Sequence, residues 1–162
     1  MQKISPFLWF DSNAEEAVNF YVSIFKDSKI KDVSRYGDAG PGPKGQVMVM
    51  SFEIEGQEFV ALNGGPRFKF TEAVSFVVHC NGQKEVDHYW DKLLEGGGQT
   101  QACGWLKDRY GLSWQIVPVE FFELMKDKDP AVRNRVMQAM MGMVKFDVEG
   151  LKKAAEPLSA SS

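Results

Sequence analysis

Few side chains in this 162-residue chain can move a proton or attack an electrophile near neutral pH: two histidines, His79 and His88, and two cysteines, Cys80 and Cys103. His79 closes the run Val74-Ser75-Phe76-Val77-Val78-His79, whose period-two alternation puts Ser75, Val77 and His79 on one face of a strand. An imidazole placed there can act as a general base toward a molecule lying on that face. The competing reading is a histidine that satisfies a local hydrogen bond near a strand end. His88 stands between Val86 and Tyr89 on a helical pattern and reads as solvated. Cys80 and Cys103 are too few and too far apart for a disulfide framework; in a reducing cytosol they are expected as thiols, each a small buried hydrophobe. Asp108 and Arg109 precede Tyr110-Gly111, where turn geometry accounts for them. Trp105 and Trp114 could wall a planar ligand, but alternation turns Trp114 away from Gln115 and toward packing against a helix.

The elements that position these groups follow from punctuation and period. Residues 4–10 are short, aromatic and apolar, as in a strand, and Pro6 assigns them to an edge or bulge. Ser12-Asn13-Ala14-Glu15 has the form of a capping box. Behind it Ala14, Ala17, Val18, Tyr21, Ile24 and Phe25 recur at helical spacing, which predicts a helix over 13–26. A strand is expected over 30–36. Residues 37–45, crowded with Gly and Pro, can hold no regular structure and are expected to be mobile. Strands over 47–54 and 58–62 flank Glu55-Gly56, a tight hairpin signal, and Gly64-Gly65-Pro66 ends the series.

The series then repeats. A strand over 74–79 leads through Asn81, a possible cap, to Val86, Tyr89, Trp90, Leu93 and Leu94 at helical spacing, with Gly96 beyond the helix end. Short strands follow near 99–102 and 104–107, then a turn at Arg109-Tyr110-Gly111 and a strand over 112–117. Phe7 to Phe25 lies on Phe76 to Leu94 without a gap at an offset of 69, and Gly56 and Phe59 lie on Gly111 and Trp114 at an offset of 55. Beyond 120 the chain is helical. Asp129-Pro130 opens a helix with Val132, Val136, Met140 and Val144 along one stripe, Asp147 caps a last one through Ala155, and 157–162 are expected to fray.

Composition sets limits. A chain of this length is one domain able to bury a core, and twelve Phe and four Trp suit a large core or an apolar pocket. At a net charge of −3, with Lys and Arg scattered among acids, there is no electrostatic footprint for nucleic acid. No segment reaches the apolar length of a membrane span, and the start Met1-Gln2-Lys3-Ile4-Ser5-Pro6 lacks a signal peptide's apolar run. A cytoplasmic protein is expected, without membrane or nucleic-acid partners.

The duplicated unit, over about residues 2–120, resembles the vicinal oxygen chelate superfamily, which contains glyoxalase, bleomycin-resistance proteins and extradiol dioxygenases. Phe7-Leu8-Trp9-Phe10-Asp11, the helix holding Ala17, Phe20 and Tyr21, and above all Asp108-Arg109-Tyr110-Gly111-Leu112-Ser113-Trp114-Gln115 resemble its PhnB-like, demethylubiquinone methyltransferase-like branch. The resemblance implies an α+β fold: two βαβββ repeats, at about 2–66 and 73–120, forming a curved mixed sheet around a cavity, with 121–162 as a helical extension. It also implies where metal ligands would stand. The His that opens the second unit in metal-using members falls on Ser75 and the Glu of the closing strand on Gln115, and the offsets carry these to Pro6 and Val60. One amide and one hydroxyl do not replace the imidazole, thiolate or carboxylate donors that iron, zinc or nickel need, so no metal and no cofactor are expected.

Binding an S-adenosyl cofactor in the common fold needs a glycine-rich turn between a parallel strand and a helix. Gly64-Gly65 instead runs into Pro66-Arg67-Phe68-Lys69-Phe70, and Gly96-Gly97-Gly98 follows a helix, so methyltransferase activity is not expected. The expected function is that of a homodimeric small-molecule-binding protein, its ligand flanked by Leu8, Phe10, Val60, Ser75, His79 and Gln115. The alternatives are a lyase, isomerase or dioxygenase using His79 or a non-standard metal geometry, with ligands that a partner subunit can complete, and an interaction module with a collapsed cavity in which 37–45 is a plain connector.

Overall fold

A computed structural model describes residues 2–157 of the chain, which forms two compact units dividing between Phe70 and Thr71. The first unit contains β1 (Phe7–Phe10), α1 (Ala14–Ile24), β2 (Lys29–Arg35), β3 (Val47–Ile54) and β4 (Gln57–Asn63). Its sheet runs β1-β4-β3-β2, with β1 parallel to β4 and the other pairs antiparallel. The helical spacing read from the sequence is the buried face of α1: Ala14, Ala17, Val18, Tyr21 and Ile24 lie against β3 and β4. Met50, Phe52 and Ile54 of β3 and Phe59 and Ala61 of β4 alternate into the core, where the Phe52 and Phe59 rings stack at 5.5 Å. Glu55 and Gly56 turn the hairpin at φ 50° and 80°, the left-handed pair a two-residue turn requires. The edge strand β2 is exposed along its length, and its lysines pair with β3 and β4: Lys29 with Glu53 at 3.9 Å, Lys31 with Glu53 at 3.4 Å and with Glu58 at 3.0 Å. Charges along an open edge discourage strand addition by another chain.

The expected capping box at Ser12 does not form. Asn13 is the N-cap residue but makes no side-chain cap; the Ala14 N–H donates to Asn63 Oδ1 at 2.8 Å, from the end of β4. Asn63 Nδ2 donates to the Val47 carbonyl at 2.9 Å, and the Asn63 carbonyl accepts from the Tyr36 hydroxyl at 2.6 Å. This buried amide joins β3, β4, α1 and the end of β2. Segment 37–45 has no regular structure, as expected, but it closes around the Tyr36 ring. Its ends are joined where the Tyr36 carbonyl accepts from Gly45 N–H and Tyr36 N–H donates to the Gln46 carbonyl, each at 2.9 Å. A Cβ at Gly40 or Gly42 would come within 2.7 or 2.3 Å of that ring, so glycine there permits the wrap.

The second unit repeats the order with β5 (Ser75–Cys80), α2 (Gly82–Leu94), β6 (Gln99–Thr100), β7 (Trp105–Lys107) and β8 (Ser113–Pro118). Its sheet runs β5-β8-β7-β6, with β5 parallel to β8 and the other pairs antiparallel. Val86, Trp90 and Leu93 of α2 are buried, at the places of Ala17, Tyr21 and Ile24. The chain is therefore α+β, with two mixed four-stranded sheets in βαβββ units.

Three helices follow in the same unit: α3 (Val119–Leu124), α4 (Pro130–Met141) and α5 (Val148–Ala155). Asp129 caps α4 by accepting from Ala131 N–H at 2.9 Å, ahead of Pro130, as expected. The stripe expected to continue to Val144 is cut at Gly142. Met143 and Val144 instead accept from the Cys103 and Gly104 N–H groups, each at 2.8 Å. Gln83 of α2 holds the entry to α5, donating to the Phe146 carbonyl at 2.9 Å and accepting from Val148 N–H at 2.8 Å. Of the segment expected to fray, residues 158–162 lie outside those described.

Candidate functional site

Strand registers fix which side chains share a face. In the second unit Ser75 pairs with Ser113 and Ser113 with Lys107; Val77 pairs with Gln115 and Gln115 with Trp105; His79 pairs with Val117. These residues occupy the face opposite Trp114 and Ile116, which are buried on the side of α2. Ser75, His79 and Gln115, named from sequence, thus lie on one face, and two are in contact: Gln115 Nε2 donates to Ser75 Oγ at 2.9 Å. Reversing the amide would turn that bond around and still leave one amide atom directed away from Ser75. His79 is exposed, two register rows from Ser75, with its ring 5.1 Å from that of Phe122. At about 3.3 Å of rise per residue it stands roughly 13 Å along the strand from Ser75, so the two cannot act on one atom.

Leu8 and Phe10 need correction. Both are buried, in register with Ala61 and Asn63 on the α1 side of the sheet, while Val60 pairs with Phe7 on the other face. The cause is an offset that differs between elements. Phe59 and Trp114 are equivalent, and the β5 partner of Trp114 is Phe76, whereas the position before Phe7, Pro6, gives its carbonyl to Val60 N–H at 2.9 Å. The strand offset is therefore 70 (Val77 on Phe7), while the helix offset is 69 (Trp90 on Tyr21). The strand-to-helix connection is shorter by one residue in the second unit, and a slip of one residue exchanges the faces of a strand. Ser5, Phe7 and Trp9, not Pro6, Leu8 and Phe10, are the counterparts of Ser75, Val77 and His79. The face that holds Val60 borders an open groove of about 540 Å³, with Val49, Ser51, Lys31, Glu58 and Gln2 among its walls.

Two features of the second-unit face were missed in the sequence. Among the described residues, Ser113 Oγ is the buried side-chain polar atom without a hydrogen-bond partner. Its period-two relation to Gln115 was the available signal. Lys107, its neighbour in register, forms an ion pair with Glu72, whose carboxyl is held below its usual range chiefly by that hydrogen bond.

Asp108, at the next turn, is a structural carboxylate. It is 3% exposed; Oδ1 accepts from Tyr110 and Leu112 N–H at 2.9 and 3.1 Å, and Oδ2 from Trp114 Nε1 at 2.9 Å. Trp114 packs near Phe76 on the α2 side, which settles it as core.

The donor chemistry does not fit a divalent cation. With the corrected offset, the positions equivalent to superfamily ligands are Ser5, Val60, Ser75 and Gln115, two hydroxyls, one amide and an alkyl group. Among the described residues no three of His, Cys, Asp and Glu come together to hold a metal ion.

The sequence model of the 3-demethylubiquinone-9 3-methyltransferase family matches residues 2–117. The chain belongs to this family. A family relative of known structure, the PhnB protein from Bacillus cereus, is 40% identical over 72% of this chain and 99% of its own, with a TM-score of 0.67. At lower identity the likeness is one of fold alone. A protein from Pseudomonas aeruginosa is 21% identical, with 73% of this chain and 98% of its own covered and a TM-score of 0.60. The fosfomycin resistance protein FosX from Listeria monocytogenes, solved with Mn(II) and sulfate, is 14% identical, with coverages of 73% and 90% and a TM-score of 0.50. Together with the two βαβββ units, these neighbours establish the PhnB-like, vicinal oxygen chelate fold of glyoxalases and bleomycin-resistance proteins. No curated protein matches the chain.

Proposed function

We propose that this PhnB-like family member is a cytoplasmic, homodimeric binding protein for a small molecule, held without a metal on the second unit's open face. One observation carries the reading: the Gln115–Ser75 hydrogen bond stands beside the unpartnered Ser113 hydroxyl, between apolar Val77 and Trp105. A few convergent polar groups set in apolar surface are how small-molecule sites are built. The family description names a methyltransferase. The strand-to-helix connections, residues 11–13 and residue 81, offer no glycine-rich phosphate cradle, and each sheet has one parallel pair instead of a parallel layer, so the name is not taken as the activity.

A cytoplasmic place is supported by the two free cysteines, Cys80 and Cys103; among the described residues no helix is long and apolar enough to cross a membrane. Support for a homodimer comes from exposed apolar side chains, among them Phe7, Val33, Phe68 and Val77. The test combines a ligand panel read by melting temperature with sedimentation over a concentration series. Ligands that raise the melting temperature of the native chain but not of Gln115→Leu are expected, on a particle of twice the chain mass; no shift with any ligand removes the binding function, and a monomer at all concentrations removes the dimer.

A second reading has its own observation. His79 is an exposed imidazole on the binding face, within reach of the far end of a longer ligand, and can act there as a general base in a lyase or isomerase reaction. Turnover lost in His79→Ala with ligand affinity retained would favour it.

A further inference from the structure

The half-buried face of the second unit that holds Ser75, Ser113 and Gln115 leaves several hydrogen-bonding groups without partners. Ser75 Oγ accepts from Gln115 Nε2, so its own hydroxyl proton is free to donate. The Gln115 amide retains its carbonyl oxygen and a second N–H. Ser113 Oγ, buried between Ser75 and Lys107 in register, has neither given nor received a bond. A buried polar atom without a partner is rare in native folds and costly, so its presence points to a group that arrives from outside. The charges nearby are balanced. The Lys107 ammonium is taken by Glu72, and Glu72 belongs to the segment just ahead of β5 while Lys107 is on β7, so the ion pair spans the start of β8 where Ser113 lies. The face therefore presents unmatched donors and acceptors together, with no unbalanced charge.

Resting on the reading of this face as a binding site, we infer that Ser75, Ser113 and Gln115 recognise a neutral group with adjacent donor and acceptor, a carboxamide or lactam, whose flat body lies beside Trp105. A carboxylate would satisfy the hydroxyls but set its charge against the Gln115 carbonyl oxygen. An ammonium would satisfy that oxygen and leave the amide N–H unmatched. An amide answers both, as one amide edge pairs with another. Trp105, in register with Gln115 on the same face, supplies a partly exposed aromatic surface for a planar substituent.

The probes are benzamide, benzoate and benzylamine, alike in the ring and different in the head group. Each is titrated into the nitrogen-15-labelled full chain, following the Gln115 side-chain amide resonances, assigned by their loss in Gln115→Leu. Benzamide is expected to move those resonances and bind about tenfold more tightly than either charged probe, and Ser113→Ala to weaken it about fivefold. Removing an unpartnered hydroxyl should at the same time raise the melting temperature by about 3 °C, which a structural serine would not do. Benzoate or benzylamine binding as well as benzamide overturns the amide assignment and leaves the face as a binding site. Unchanged benzamide affinity in Ser113→Ala removes Ser113 from it. If no probe moves the Gln115 resonances up to its solubility limit, the amide assignment falls together with the binding face.

Discussion

Both carboxylate oxygens of Asp108 are held inside its own hairpin, by two backbone N–H groups of the turn and the indole of Trp114. The most distinctive run in the sequence, Asp108 to Gln115, is therefore mostly a folding device, and only Ser113 and Gln115 of it lie on the face shared with Ser75. At the other end of the β5–β8 pair, the chemistry of Cys80 is muted in the same way. Cys80 is fully buried, and burial first, then the charges of Glu85 and Glu120, push its thiol up to about 12. A thiol whose pKa is raised in the folded state favours folding fully while it is protonated in the unfolded chain as well. As pH rises past the ordinary thiol value the unfolded chain releases its proton and the folded chain does not. Stability should therefore fall between about pH 9 and pH 12, by as much as ~1.4 kcal/mol per pH unit for this one group. Denaturant titrations across that range should show the loss in the native chain and a smaller one in Cys80→Ala; equal slopes would show that Cys80 ionises as readily folded as unfolded.

Helices and strands were legible because their apolar periods are local, and the details that escaped depend on distant residues. Helix α1 follows from Ala17, Val18, Tyr21 and Ile24, but its cap comes from Asn63, 49 residues along the chain, and no local motif marks it. The candidate site suffered from the same limit. The helix offset carries the buried helix positions from one half to the other but turns β1 to the wrong face, because one residue is missing between strand and helix in the second unit. Ser75, His79 and Gln115 needed no such transfer, and they share a face as their alternation indicated. The role of Asn63 is measurable. Asn63→Ala leaves the Ala14 N–H, the first of the helix, without its acceptor and the Val47 carbonyl without its donor, at a cost of about 2–4 kcal/mol. Ser12→Ala, which removes only the unused capping-box hydroxyl, should cost less than about 0.5 kcal/mol. Chemical denaturation of the two variants separates the long-range cap from the local one; equal losses would return the cap to Ser12.

At the scale of the whole molecule, duplication sets a pair of equivalent places on each of the two sheets, and what fills them decides which chemistry the fold can support. In this chain they are Ser5, Val60, Ser75 and Gln115. A divalent cation at such a place must exchange strongly bound water for donors at least as good, and a neutral hydroxyl or amide is a poor exchange without a carboxylate, imidazole or thiolate in the set. FosX, 14% identical and solved with Mn(II), has the same fold, so fold alone does not decide between the two kinds of site. If the donor set decides, the chain gains no folding free energy from a cation. Its melting temperature should then stay within about 1 °C when a chelator is added or when Mn(II), Fe(II), Ni(II) or Zn(II) is supplied in excess, because a ligand shifts stability only to the extent that the folded state binds it. Gln115→Glu supplies the contrast. With a carboxylate beside Ser75 it should acquire a cation-dependent rise in melting temperature that the native chain lacks. A chelator-sensitive native chain, or stoichiometric metal in protein purified without a tag, would mean that the donors at these places do not decide metal binding.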